Sequence, residues 1–236
     1  MDAPTFRPKM IARYVGGSIL LMIGLGIFGS TFLANGIDIN LNADAREIGA
    51  NMLNAETPLR AKAYFGALGF SLEILVSIGL FLILSRVGPL LAGWSLVAGV
   101  TAAILSLFGE VAMLNAAEIA GDFAYKQVAS DTQRWLLASL QATNDYTSFH
   151  LGLIIGSFAK AGFFYLFLKS GMIPSFISAW GVFASLFVGT TIVARDFVSA
   201  LGDSTITMAF MVCNLIALVS LAMYLLIWGI YAPEED

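Results

Sequence analysis

The chain has 236 residues, of which 58% are hydrophobic and only 12% are charged, and its mean hydropathy is +0.85. Soluble domains carry about a quarter charged residues, so this composition excludes a soluble globular protein and indicates that lipid is the main solvent. The formal net charge of −4, without any run of Lys or Arg, excludes the basic surface that binds nucleic acid.

Six apolar runs follow one another along the chain, and each is long enough to cross a bilayer as a helix. A crossing helix needs about 20 residues, and only a helix satisfies the backbone in hydrocarbon. We therefore predict an all-α, polytopic transmembrane bundle of six helices that forms a single domain over residues 1–236. The predicted helices cover approximately residues 12–34, 64–85, 89–114, 149–168, 176–194 and 207–231.

The first predicted helix matches two patterns from other protein classes. Gly24-Leu-Gly26-Ile-Phe-Gly29 fits the dinucleotide-binding fingerprint letter for letter, but that fingerprint works only where a strand turns into a helix. Close helix packing explains these glycines better. The basic start also resembles a secretory signal peptide, but Phe32-Leu-Ala34 lacks the small residue that cleavage requires, so we predict a membrane anchor.

Short turns that contain Gly and Pro join the second helix to the third and the fourth to the fifth. Cations lie in these turns and before the first helix, namely Arg7, Lys9, Arg13, Arg86 and Lys169. Positive residues in short loops mark the cytoplasmic face, so both termini are predicted to be cytoplasmic. The opposite face has two long loops that mix acids such as Asp145 with these cations: Arg46, Arg60, Lys62, Lys126 and Arg134.

The two long outer loops contain helix signals of their own. Ser130-Asp-Thr-Gln133 has the spacing of a capping box, and Ile48 and Met52 belong to an apolar stripe. We predict short interfacial helices in both loops. They either form a lid over a site in the membrane or seal the loops onto the lipid headgroups.

Ionisable side chains inside the apolar runs point to function, because a charge there costs about 3 kcal/mol or more and seldom faces lipid. With the predicted topology, these residues all fall in the outer half of the membrane. Glu73 and Lys160 share one depth there and are expected to pair. The predicted polar cluster consists of Glu73, Glu110, His150, Lys160, Arg195, Asp196 and Asn214.

Small residues share a helix face with these charged residues. Gly66, Gly69 and Glu73 recur at spacings of three or four residues, and Gly152 lies on the same face as Lys160. Small residues mark helix contacts in membranes, so the charged side chains should face the interior of the bundle. There they either line a water-filled cavity that opens to the outer side, or pair with one another as polar glue.

Several stretches together match the pattern of one family. They are the Gly-rich first helix, Leu59-Arg60, the hairpin with Glu110, and the segment from His150 to Leu186, which includes Leu166-Phe-Leu-Lys-Ser-Gly-Met-Ile-Pro174 and Trp180-Gly181. On these residues the chain resembles the bacterial multi-pass membrane proteins grouped as domain of unknown function 4386. The resemblance implies six helices over nearly the whole chain and a bacterial inner membrane, but no established activity. Lys160 departs from the family pattern.

Three functions remain open on these observations. The first is a protein of the lipid bilayer whose outward-facing polar site binds or passes a small polar solute. The second is a structural or assembly subunit that uses its small-residue faces to meet a membrane partner or to form an oligomer. The third is a metal-dependent hydrolase, which would need Glu73, Glu110 and His150 as ligands. Neither a cofactor nor a catalytic residue is predicted.

Overall fold

The computed structural model describes residues 8–37, 45–121 and 123–231, and these residues form helices joined by turns, with no strand among them. Arg7, one of the cations behind the predicted orientation, lies outside these ranges. Six of the helices are long and apolar enough to cross a membrane. The predicted fold class, an all-α polytopic bundle of six transmembrane helices, is confirmed.

The helices follow the chain in the order of the predicted runs. Their bounds are α1, Pro8–Phe28, continued by a π-helical turn, Gly29–Leu33; α2, Ala45–Met52; α3, Glu56–Leu84; α4, Pro89–Gly121; α5, Phe123–Val128; α6, Asp131–Ser170; α7, Ser175–Arg195; and, after a 3-10 turn, α8, Ser204–Ile227. The six membrane-type helices are α1, α3, α4, α6, α7 and α8. The short helices α2 and α5 lie in the regions predicted to be the two long loops.

Three helices extend well beyond their apolar runs. α3 begins at Glu56 instead of residue 64, α4 ends at Gly121 instead of residue 114, and α6 begins at Asp131 instead of residue 149. Charged residues on the added turns satisfy one another, since Arg60 Nη2 lies 3.2 Å from Glu56 Oε1 and 2.8 Å from Glu118 Oε1. The end of an apolar run therefore does not mark the end of these helices, because polar turns with partners continue them.

The capping box predicted at Ser130 is present. Ser130 N donates to Gln133 Oε1 at 2.8 Å, and Gln133 N donates in return to Ser130 Oγ at 3.3 Å. The prediction of a separate short helix after this box is wrong, because the turn that it caps continues without a break into α6, which has 40 residues. Asp145 and His150 consequently lie on one helix.

Asp203 caps the N-terminus of α8. Thr205 N donates to Asp203 Oδ1 at 2.7 Å, which satisfies one of the backbone donors that a helix start leaves open. This backbone hydrogen bond favours the carboxylate and lowers the pKa of Asp203 below its ordinary value of 3.8. The residue lies just before the membrane-type segment Ser204–Ile227.

The chain divides into two compact units. Among the described residues, unit 1 comprises 8–21, 72–101 and 154–231, and unit 2 comprises 22–37, 45–71, 102–121 and 123–153. α1, α3, α4 and α6 contribute residues to both units, whereas α7 and α8 belong to unit 1. The single domain over the whole chain stays a prediction.

In unit 1 the helices approach one another at glycines. A methyl group at Gly16 of α1 would lie 2.5 Å from the carbonyl oxygen of Ala222 and 2.7 Å from the nitrogen of Leu226, so the backbones of α1 and α8 are in direct contact. The ring of Phe164 fills the space beside Gly181 in the same way. Gly16 and Gly181 are thus packing positions, as small residues in membrane helices often are. The expectation that close helix packing explains Gly24, Gly26 and Gly29 is wrong for the described residues, because a methyl group at any of the three would meet nothing within 4 Å.

The core of unit 2 joins the short helix α2 to α3, α4 and α6. Its buried members include Ile48, Met52, Leu59, Met113, Ala117, Ala138 and Ala142. The apolar stripe of α2 is therefore packed against protein, and this contact accounts for the stripe that the sequence analysis assigned to the membrane surface. An eight-residue helix is too short to be stable alone, so this burial is what keeps it folded.

Candidate polar site

Glu73 and Lys160 form an ion pair in unit 1. Lys160 Nζ of α6 lies 3.3 Å from Glu73 Oε1 of α3, and the two side chains are 24% and 15% exposed, respectively. The pairing predicted from helical depth and small-residue faces is confirmed. A methyl group at Gly99 of α4 would lie 2.6 Å from Ser77 Oγ and 3.9 Å from Ala159 Cβ, so three helices pack closely one turn from the pair.

In unit 2, the carboxylate of Glu110 in α4 lies directly against Gly66 of α3. A single methyl group at Gly66 would overlap the carboxylate atoms, and Glu110 is 8% exposed. Gly69, predicted to share this contact face, instead meets open space, since a side chain there would find nothing within 4 Å. Only one of the two glycines therefore makes room for the acid.

A second ion pair lies in unit 2, between residues that the sequence analysis assigned to loops. Lys62 Nζ of α3 lies 3.1 Å from Asp145 Oδ2 of α6, and the two side chains are 12% and 9% exposed. A methyl group at Gly109 of α4 would lie 2.5 Å from Asp145 Oδ1, which places this carboxylate at the meeting point of three helices. The capping box at Ser130 is a sequence signal that would have found Asp145, because it starts α6 well before that residue.

His150 is buried on α6, one to two turns after Asp145. Its ring contacts Tyr146 at a centroid distance of 5.3 Å with an interplanar angle of 42°. Two residues further on, a methyl group at Gly152 would lie 2.6 Å from Ser106 Oγ and 2.9 Å from the carbonyl oxygen of Ala102. The part of α6 that carries His150 is therefore packed tightly onto α4.

We call Lys62, Glu110, Asp145 and His150 the unit 2 polar cluster. Its four side chains are mostly buried and come from α3, α4 and α6. Two carboxylates stand against one ammonium group and one imidazole, so the cluster offers both hydrogen-bond donors and acceptors and is able to exchange protons.

The seven residues of the predicted polar cluster do not all belong to one unit. Glu110 and His150 lie in unit 2, whereas the other five lie in unit 1: Glu73, Lys160, Arg195, Asp196 and Asn214. Arg195 ends α7 and is half-buried, Asp196 is exposed, and Asn214 is half-buried in α8. Membrane depth predicts the height of a residue but not which helices are its neighbours, so a single site formed by all seven residues stays a prediction.

The three ligands of the hypothetical metal site are also divided. Glu73 belongs to unit 1, while Glu110 and His150 belong to unit 2. Within residues 8–37, 45–121 and 123–231, no three His, Cys, Asp or Glu side chains are grouped so that they could hold a metal ion. No feature of the described residues thus favours the hydrolase hypothesis.

The fold and its buried ion pairs define a multi-pass, all-α integral membrane protein. The chain belongs to the family described as domain of unknown function (DUF4386), whose match covers residues 14–229. This match begins inside α1 and ends just after α8, so it includes five of the membrane-type helices whole and most of α1, and it confirms the resemblance seen in the sequence. The comparisons with curated proteins and with solved structures each returned no match.

Proposed function

We propose that the protein binds a small polar solute at the unit 2 polar cluster, from the outer side of the membrane. The observation that supports this function is the burial of four ionisable side chains in one unit, at the contacts of three helices. Ionisable residues in membrane helices cost free energy when the helix enters the membrane, and they usually mark solute or proton pathways. A buried ion pair that serves only stability can often be replaced by apolar residues without loss of folding stability.

The charges of the cluster favour a solute with a positive or donor-rich group. Against one ammonium group, that of Lys62, the cluster has two carboxylates, those of Asp145 and of Glu110. Gly66 leaves the carboxylate of Glu110 room beside α3. The proposed solute class is therefore a small amine, an amino acid or a similar polar compound.

A structural role is the second candidate, and the two ion pairs favour it. Glu73 with Lys160, and Lys62 with Asp145, lie at direct pairing distances of 3.3 and 3.1 Å. Charged groups that pair with one another hold helices together and leave fewer hydrogen-bonding groups available to a ligand. In that case the protein acts as a subunit or scaffold, and the cluster is polar glue.

Ligand-induced stabilisation separates the two candidates. The protein in lipid nanodiscs is heated with a panel of small amines, amino acids, carboxylates and sugars, and its melting temperature is recorded. A solute at about 100 times its Kd stabilises the folded state by about 2.7 kcal/mol, which gives a measurable upward shift. We expect at least one amine or amino acid to produce it.

Two Glu→Gln variants of α4 are the matched pair for this experiment. Glu110→Gln removes the buried charge and should abolish the shift, whereas Glu118→Gln changes an acid that is half exposed and should retain it. If no member of the panel stabilises the wild-type protein, or if Glu110→Gln responds as the wild type does, the structural role is favoured instead.

A further inference from the structure

Unit 2 also has a pocket that the polar cluster does not line. Its volume is about 590 Å³, within the range of roughly 300 to 1,000 Å³ that is typical of small-molecule sites. The walls come from α2, α5 and the start of α6, and they include Leu53, Asn54, Lys126, Asp131, Arg134 and Trp135. Apolar, aromatic and charged side chains therefore meet in one concave surface.

The positive charge of Arg134 is already engaged. Its guanidinium donates to the carbonyl oxygens of Ile119, at 3.1 and 3.2 Å, and of Ala120, at 2.9 Å, and it lies 3.4 Å from Asp131 Oδ1. Carbonyls at the C-terminal end of a helix carry partial negative charge, so the guanidinium of Arg134 caps the C-terminus of α4. Arg134 is accordingly a wall of the pocket and not its anion-binding group.

Lys126 is the cation that a ligand would meet. It lies on α5 and is exposed, so its ammonium group can turn toward a bound anion. Trp135 and Leu53 are half-buried in the same pocket, and they offer an aromatic face and an aliphatic surface. Aromatic rings make favourable stacked or edge-to-face contacts with tryptophan, in addition to the gain from buried area.

We propose that this pocket binds a small aromatic monocarboxylate. Its carboxylate would pair with Lys126, and its ring would lie on Trp135 and Leu53. A neutral ring of the same shape would lose the ion pair with Lys126. This site is separate from the solute site proposed for the polar cluster, and neither depends on the other.

Fluorine NMR of a defined probe tests this binding site. Line broadening of 4-fluorobenzoate is titrated against the protein in nanodiscs, with empty nanodiscs as the control for partition into lipid and 4-fluorobenzamide as the uncharged analogue. We expect 4-fluorobenzoate to bind more tightly than the amide. Lys126→Gln should weaken the benzoate by about tenfold, the usual loss for a charged hydrogen bond, and leave the amide unchanged.

Two further lysine variants make the outcome decisive. Lys126→Arg keeps the charge and should retain most of the affinity, while Lys169→Gln changes an exposed lysine in the last turn of α6 and should have no effect. Broadening of 4-fluorobenzoate no greater than with empty nanodiscs overturns the proposal. So does a Lys126→Gln variant that binds the benzoate as tightly as the wild type.

Discussion

Lys160 of α6 holds its ammonium nitrogen 3.3 Å from the carboxylate of Glu73 in α3, in the middle of two apolar helices. Each charge is tolerable there because the other compensates it. The pair connects two helices that are far apart in sequence, and it does so within one compact unit. Its energetic value is open to direct measurement, since both side chains can be replaced by methionine with little change in volume.

Removing one member of this pair should be worse than removing both. Glu73→Met or Lys160→Met leaves a buried charge without its partner, a change that costs about 3 to 5 kcal/mol, whereas the double variant should recover much of that loss. Reversible unfolding in mixed micelles gives the three differences in free energy. Losses that simply add in the double variant would show that the two groups do not interact.

Gly16 and Gly24 of α1 form a matched pair for the packing of small residues. Gly16→Ala places a methyl group 2.5 Å from the carbonyl oxygen of Ala222, and because backbone cannot move aside, we expect a loss of about 1 to 3 kcal/mol. Gly24→Ala meets nothing within 4 Å and should be neutral. The melting temperatures of the two variants measure this difference, and equal values would contradict the close contact of α1 with α8.

The orientation of the chain is a prediction that cysteine labelling decides. On a Cys213→Ser background, a cysteine at Val128 should react with a membrane-impermeant maleimide in intact cells, and a cysteine at Lys169 should react only after permeabilisation. Val128 is 81% exposed and lies outside the capping box, so its replacement should not disturb the fold. The reverse pattern of labelling would place both termini on the outer side.

The apolar runs and their small residues were enough to predict six helices and one ion pair. Glu73 and Lys160 could be matched from sequence because each stands on a face with small residues and at the same depth. Lys62 and Asp145 were missed because both lie beyond the apolar runs, on helical turns that polar contacts continue. Arg60 and the capping box of Ser130 supply those contacts, and their effect depends on partners from other parts of the chain.

The grouping of the polar residues could not be predicted from one sequence. Helical periodicity gives the face of a residue, and topology gives its depth, but neither states which helices are neighbours. Depth therefore puts Glu110 and His150 level with Arg195 and Asp196, and the structure assigns the first two to unit 2 and the last two to unit 1. Asp145 and Lys62 also belong to unit 2. One site made of all seven predicted residues stays a prediction.

Asp203 should make the stability of the protein depend on pH in the acid range. Its pKa is lowered in the folded state, so its stabilising effect is complete above the ordinary value of 3.8 and is lost as the pH falls through the lower folded pKa. Asp203→Asn still caps α8 but does not titrate. The melting temperature of the wild type should fall toward, or below, that of Asp203→Asn between about pH 5 and pH 2. A constant difference between the two proteins would contradict this assignment.

Alanine substitutions at Gly66 and at Gly69 of α3 distinguish a solute-binding site from a structural role. Gly66→Ala overlaps the carboxylate of Glu110, which is the end of a flexible side chain, so we expect the carboxylate to move while stability falls by less than about 1 kcal/mol. Gly69→Ala meets open space and leaves Glu110 where it is. If Glu110 binds the solute, the solute that stabilises the wild type should lose its effect on the melting temperature of Gly66→Ala and keep it on that of Gly69→Ala.

The charge of the cluster is the same in both variants, so a difference between them depends on the position of the carboxylate and not on its presence. A solute that stabilises both variants equally does not contact Glu110, and the buried acid is then a packing element between α3 and α4.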